Sequence, residues 1–363
     1  MSDDVQRPPA EELFADELAA LRKDDGDAPR PPGWALTPRS VVRFLLGDAK
    51  AKLAPKFVGS RAQIERCIVA LATSRGLMMV GEPGTAKSYL SELLAAAISG
   101  DSTLVIQGSA GTTEDAIKYS WNYALLLAEG PTERALIPAP LHRGMSAGKL
   151  VRFEEITRCP LEIQDTLLSV LSEQMMAIPE REDSGRSLYA KPGFNVIATA
   201  NTRDRGVNEM SAALKRRFCF ETIGPIAKLE DEIALVQREV GRQLSKAGIK
   251  ATLPADMTEV LVTTFAELRN GKTTAGKSIE PLTAVMSTAE AVAVGYAASV
   301  HAAFLGEGEV RGEHLVSSLV GTALKDNADD IPRIRHYFQQ VVAPRKSGAW
   351  RDLYEARSLL PEK

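Results

Sequence analysis

The sequence predicts an α/β unit, a parallel sheet covered on both faces by helices, followed by an all-helical unit. Three observations carry this. Apolar strand-like runs alternate with helical runs between residues 56 and 225. A glycine-rich stretch, GEPGTAKS at 81–88, stands directly between a strand pattern and a helix pattern. After Pro225 the strand pattern stops and only helical spacing remains.

At 363 residues the chain is comfortable for two domains, each with its own core. Residues 1–33 are rich in Asp, Glu and Pro and end in APRPPG. They are expected to be a flexible segment with one docking helix over 11–22, where Leu13, Phe14, Leu18 and Leu21 share a side. A short amphipathic helix, SVVRFLLG, then leads into KFVGS at 56–60. Strands are predicted at 77–80, 103–106, 150–153 and 194–200, with a fifth from Phe218. Helices are predicted at 87–98, 161–172 and 211–217, so the connections are crossovers and the sheet is parallel. Residues 230–246, 257–270, 282–305, 313–326 and 330–342 read as helices. The expected division is 1–33, an α/β domain at 34–225, a helical domain at 226–343 and a short basic tail at 344–363.

Composition narrows the function classes. With 44% hydrophobic and 25% charged residues the chain is globular, and its net charge of −3 supplies no basic field for nucleic acid. Cys67, Cys159 and Cys219 are scattered, with no CxxC, as expected of buried thiols in a reducing compartment. The start, MSDDVQRPPAEE, lacks the basic and apolar regions of a signal peptide, and the apolar stretch 289–305 carries Glu290, Tyr296 and His301. A cytoplasmic protein without membrane insertion is expected.

Four motifs carry chemistry. In GEPGTAKS, Gly81 and Gly84 let the loop curl so that backbone N–H groups face a phosphate, and the following helix adds its N-terminal partial charge. Lys87 is placed to reach the β- and γ-phosphates and the Ser88 hydroxyl to ligate Mg²⁺. Glu82, Pro83, Gly84, Thr85, Ala86, Lys87, Ser88 and the adjacent Tyr89 make up the expected ATP site. Ala86 stands where Gly is usual; with φ that of an ordinary helical first turn, its methyl is expected to fit if the phosphates lie slightly further out. Second, LVRFEEI at 150–156 ends a strand in two carboxylates at the sheet edge where ligands bind. Glu154, in place of the usual Asp, would orient Mg²⁺ through its waters, and Glu155 would polarise the attacking water. Alone, such a pair reads as a solvated strand end; the upstream glycine-rich loop reverses that. Third, the strand at 194–200 runs into Asn201, whose amide can donate to phosphate and accept from water. Fourth, SAALKRRF at 211–218 carries consecutive cations, either a solvated helix end or a finger for a neighbour's γ-phosphate.

In this order and spacing the four motifs resemble an AAA+ ATPase, and FEEITRCPLEIQDTLLSVLSE resembles the corresponding stretch of the MoxR type, over residues 56 to about 305. The resemblance implies a P-loop AAA+ sheet domain with inserts at 119–139 and 175–191, a C-terminal helical lid and assembly as a hexameric ring. It assigns the arginine finger to Arg217, with Arg216 second, and carries Val58 and Gly59 over as adenine contacts. The family's sensor-2 Arg after a Pro is absent, since Leu282 follows Pro281, which leaves Lys277 or Arg269 as substitutes. Arg203 and Arg205 lie close after Asn201 and could act in trans. The implied function is ATP hydrolysis that remodels or assembles a protein partner, such as one with a von Willebrand factor A domain. Two alternatives stand beside it: an ATP-binding switch with little turnover, and a nucleic-acid-remodelling subunit.

Overall fold

The computed structural model describes residues 5–181, 184–201, 208–325 and 327–362. The chain forms two compact units, one of residues 1–81 and 86–223, the other of 82–85 and 224–363.

The first unit is built on a five-stranded sheet, with strands β1 (Gly76–Gly81), β2 (Val105–Gln107), β3 (Leu150–Glu154), β4 (Asn195–Asn201) and β5 (Phe218–Thr222). Their order is β2-β3-β4-β1-β5, and every neighbouring pair is parallel. The period of two splits the apolar strands between two faces. Leu77, Met79, Leu150 and Ile197 pack with Phe44, Ile64, Leu90 and Leu93 from helices Pro38–Leu46, Arg61–Leu71 and Lys87–Ser99. Met78, Val151, Phe153, Val196 and Ala198 pack with Leu141 and Val170 from helices Pro140–Ala147 and Leu167–Glu173. Two antiparallel pairs, Tyr119–Trp121 with Leu136–Pro138 and Met175–Ala177 with Ser187–Tyr189, occupy the two expected inserts.

The N-terminal segment holds the expected docking helix and corrects the expectation that the rest is flexible, since its charges are fixed too. It forms helices Ala10–Leu13 and Ala15–Asp25, with Ala10 and Leu21 buried in the first core. Its charges have specific partners. Glu17 meets the Lys56 ammonium at 2.5 Å, and Asp25 accepts from the Thr37 amide, the Thr37 hydroxyl and the Ser40 hydroxyl, each at 2.7 Å. Phe14 stacks edge-to-face on Phe44 at 5.6 Å between centroids. Composition suggested flexibility around the docking helix because these partners lie elsewhere in the sequence. Cys67 and Cys159 are buried and Cys219 is half-buried; burial pushes the Cys67 thiol up to about 12, so it stays protonated and unreactive at neutral pH.

The second unit is helical: Leu229–Lys246, Ala255–Asn270, Thr288–Leu305, Gly312–Leu319, Asp330–Tyr337 and Gly348–Glu355. Val236, Val240, Leu261, Phe265, Val294, Ala298 and Phe338 form its core. Helix Thr288–Leu305 starts later than its hydrophobicity predicts because Ser287 and Glu290 close a capping box. By length and composition it passes the test for a membrane span, and Ala291, Val294, Gly295, Ala298, Ser299 and Ala302 are buried inside this unit. The residues expected to be a C-terminal tail also belong here. Ala349, Leu353, Ala356 and Leu360 lie in the core, and the Arg345 guanidinium sits 3.9 Å over the Trp350 ring.

Candidate active site

The site is assembled at the carboxyl ends of β1, β3 and β4. Gly81 at the end of β1 lies in register with Asn201 at the end of β4. Lys87 opens the following helix, is buried, and its ammonium donates to the Gly81 carbonyl at 3.1 Å. The Ala86 expectation fails. Its φ is 64° and ψ 26°, the left-handed region, because the chain must reverse there to enter the helix. An L-residue is strained in that conformation by about 1–2 kcal/mol. Glycine relieves this strain, a physical reason for glycine at this turn.

Glu82–Thr85 group with the helical unit. The Thr85 hydroxyl donates to the Glu82 carbonyl at 2.9 Å. Gly84 has φ 74°, and a Cβ there would stand 2.3 Å from the Ser287 hydroxyl oxygen, so no side chain fits. Glu82, Pro83, Gly84 and Thr85 line a small cavity with Arg269 and Ser287. Arg269 is tied to the buried Glu232 by bonds of 2.8 and 3.1 Å and to the Met286 carbonyl at 2.9 Å. Lys277 is exposed and does not line this cavity. Of the two expected sensor-2 substitutes, Arg269 alone stands beside these four loop residues.

Both carboxylate oxygens of Glu154 are hydrogen-bonded twice. One oxygen, Oε2, accepts from the Ser88 and Thr199 hydroxyls, each at 2.7 Å. The other, Oε1, accepts from the Ser91 hydroxyl at 2.5 Å and from Arg152 Nη2 at 2.9 Å. Arg152 and Glu154 are two apart on β3 and so share a face. The Arg152 guanidinium also reaches the Ser91 hydroxyl, the Ser102 carbonyl and the Ser88 carbonyl, at 2.8, 3.0 and 2.9 Å. Because the Ser88 proton goes to Glu154, its lone pairs remain for a cation, and the all-oxygen donor set suits Mg²⁺.

Glu155 leaves β3 with φ 55° and ψ 43°, which turns its carboxylate away from Glu154. Its amide donates to the Thr199 hydroxyl at 3.0 Å, and its Oε1 accepts from Asn201 Nδ2 at 2.9 Å. Arg158 Nε lies 3.7 Å from Oε2. Gly108 permits the turn: a Cβ there would sit 2.3 Å from the Glu155 carbonyl oxygen.

The other expected site residues are less constrained. Val58 is half-buried and Gly59 exposed; the Gln63 beside them donates to the Thr222 carbonyl at 2.9 Å, next to the end of β1. Tyr89 is half-buried against the first core. Arg217 donates to the Ser172 hydroxyl at 2.9 Å and the Ala213 carbonyl at 3.2 Å. Arg216 is exposed and, among the described residues, makes no side-chain hydrogen bond or ion pair. Arg203 and Arg205 lie outside the described residues. Sequence reasoning missed Arg152, Ser91, Thr199 and Gly108. The one visible signal was an arginine inside an otherwise apolar strand, LVRFE.

Residues 76–218 match the AAA domain of the dynein-related subfamily, and residues 230–361 match the YehL-like AAA+ ATPase C-terminal domain. The sheet and its phosphate-binding loop thus define an AAA+ ATPase. The chain is 55% identical over 358 residues to the uncharacterised protein YehL of Escherichia coli, covering 98% of both chains, and it belongs to the YehL-like AAA+ ATPases. It is 26% identical to protein MoxR of Paracoccus denitrificans over 52% of each chain, and 25% identical to chaperone MoxR1 of Mycobacterium tuberculosis over 50% of this chain and 44% of that one. It spans about half the length of these MoxR relatives. The solved structure of NtrX from Brucella abortus shares the fold, with TM-score 0.50 and 13% identity over 82% of this chain and 61% of that one.

Proposed function

We propose that the chain hydrolyses Mg²⁺–ATP and works as one subunit of a homo-oligomeric ring that remodels or assembles a protein partner. The observation that carries this is the Glu155 carboxylate, bonded to Asn201 at 2.9 Å on the strand whose end pairs with Gly81. A carboxylate held at that edge can draw a proton from water, and the Asn201 amide can orient that water or donate to phosphate. Lys87 releases the Gly81 carbonyl to bind phosphate, and the peptide N–H groups of the loop add to its charge. Ser88 would ligate Mg²⁺ and Glu154, behind it, would orient the ion through its waters; the ion would supply charge neutralisation at the phosphates.

Ring assembly rests on the cations at 215–217, which among the described residues bond to no side chain of the site and suit a neighbour's nucleotide. A protein partner is supported by the likeness to a MoxR chaperone; by the resemblance to the MoxR type, von Willebrand factor A-type proteins are the partner class to try first. The cytoplasm is the proposed location. The competing reading, a nucleotide switch with little turnover, is favoured by the strained Ala86. Two measurements on purified protein decide. A hundredfold excess of Mg²⁺–ATP over its Kd should stabilise the fold by about 2.7 kcal/mol, and Lys87→Ala should abolish that gain. Steady phosphate release by the parent supports the enzyme; stabilisation without release supports the switch.

A further inference from the structure

A carboxylate offers about four lone-pair sites. In Glu154 all four are used, by Ser88 and Thr199 on one oxygen and by Ser91 and Arg152 on the other. The pair is enclosed, with Arg152 and Glu154 side chains 9% and 5% exposed. It nevertheless borders a cavity of about 440 Å³, lined by Ser88, Gln107, Arg152 and Glu154, where Arg7 is paired with Glu92, so a hydrated cation can approach. Three of the four donors are hydroxyls, which can rotate away from the carboxylate or bridge to a metal. Arg152 can do neither. Its charge opposes a cation, and its remaining bonds to the Ser91 hydroxyl and to the Ser88 and Ser102 carbonyls fix it in place.

We infer that Arg152 is a positioning residue that closes the Glu154 carboxylate to direct metal ligation, so that the cation is admitted only with the nucleotide. The arrangement also answers the extra methylene of Glu154. A longer carboxylate could swing onto the metal itself, and Arg152, held by Ser91, keeps it one hydrogen bond behind Ser88. The inference rests on the phosphate-loop reading for what the site binds. Its test uses no nucleotide, so it can fail while ATP binding and hydrolysis stand.

The experiment is a titration of the full chain with Mn²⁺ alone, followed by water-proton relaxation. The parent should bind Mn²⁺ weakly, and Arg152→Gln should bind it about tenfold tighter, the scale on which residues behind metal ligands act. Adding Glu154→Gln to Arg152→Gln should remove the gain, which identifies Glu154 as the ligand. A folded Arg152→Gln protein with unchanged Mn²⁺ affinity overturns the inference, and so does a gain that survives Glu154→Gln. Should Arg152→Gln fail to fold, Ser91→Ala carries the same test, because it strips one donor from Glu154 and the anchor from Arg152 Nε. A gain of about threefold is then expected, and none overturns it.

Discussion

Asn201 Nδ2 donates to Glu155 Oε1 at 2.9 Å, joining the end of one strand to the turn after its neighbour. The bond steers a carboxylate that β3 alone would not aim, since Glu155 stands in a left-handed turn, and an amide carries both a donor and an acceptor for phosphate and water. Asn201→Ala should therefore slow phosphate release by about tenfold to a hundredfold. ATP-induced thermal stabilisation should stay intact. Loss of ATP binding in this variant would make Asn201 a part of the phosphate cradle instead.

Ala86→Gly should raise stability. The left-handed φ of 64° costs Ala about 1–2 kcal/mol. The greater freedom of Gly in the unfolded chain takes back about 0.4–1 kcal/mol. A net gain of about 0.5–1 kcal/mol is expected in urea unfolding of the nucleotide-free protein. A loss of stability would contradict the geometry of this turn.

Asp25 ties the N-terminal segment to the α/β unit. Burial raises its pKa, but the hydrogen bonds from the Thr37 amide, Ser40 and Thr37 outweigh burial and leave it below the usual carboxylate range. A folded-state pKa below the unfolded value means stability that is present above the unfolded pKa and is lost as pH falls through the folded one. Asp25→Asn should cost about 1 kcal/mol at pH 7. The gap from the parent should hold down to about pH 4 and close below it. A gap unchanged at low pH would show that the side chain acts through shape rather than charge.

What the sequence made legible was whatever repeats with a local period or sits in a fixed order. The five strands, the phosphate loop and the acidic pair were readable because apolar runs end where the chemistry begins. The second predicted strand, at 103–106, lies in the structure at Val105–Gln107, a short edge strand with little apolar pattern to mark its ends. What was hidden depends on partners distant in sequence. Arg152 looked like a polar interruption until Glu154, Ser91 and Ser102 surrounded it. The docking helix over 11–22 was legible from its apolar spacing, but its fixed attachment was not, because Lys56, Thr37 and Ser40, which hold its acids, lie elsewhere in the sequence. The left-handed Ala86 was hidden because backbone angles are set by where the chain must go next.

The ring is tested by mixing. Arg217→Ala has an intact pocket and lacks the cation offered to its neighbour; Lys87→Ala has the reverse. Each alone should be inactive, and mixed with subunit exchange about one interface in four pairs a good pocket with a good arginine. Recovery near a quarter of parental phosphate release is expected, somewhat less if the ring is cooperative. No recovery despite exchange would remove Arg217 from this role. Arg216→Ala in the same mix decides between the two, since Arg217 must first leave Ser172 whereas Arg216 is exposed.

The most direct test of the account is phosphate release by Glu155→Gln beside the parent, with ATP binding followed on both. An amide keeps the shape and the bond to Asn201 but cannot take a proton from water. The account predicts steady release by the parent, a fall of about a hundredfold or more in the variant, and undiminished ATP binding. Parental release by Glu155→Gln, or no release by the parent at any Mg²⁺–ATP concentration that stabilises it, would contradict the claim that this site hydrolyses ATP with Glu155 as its base.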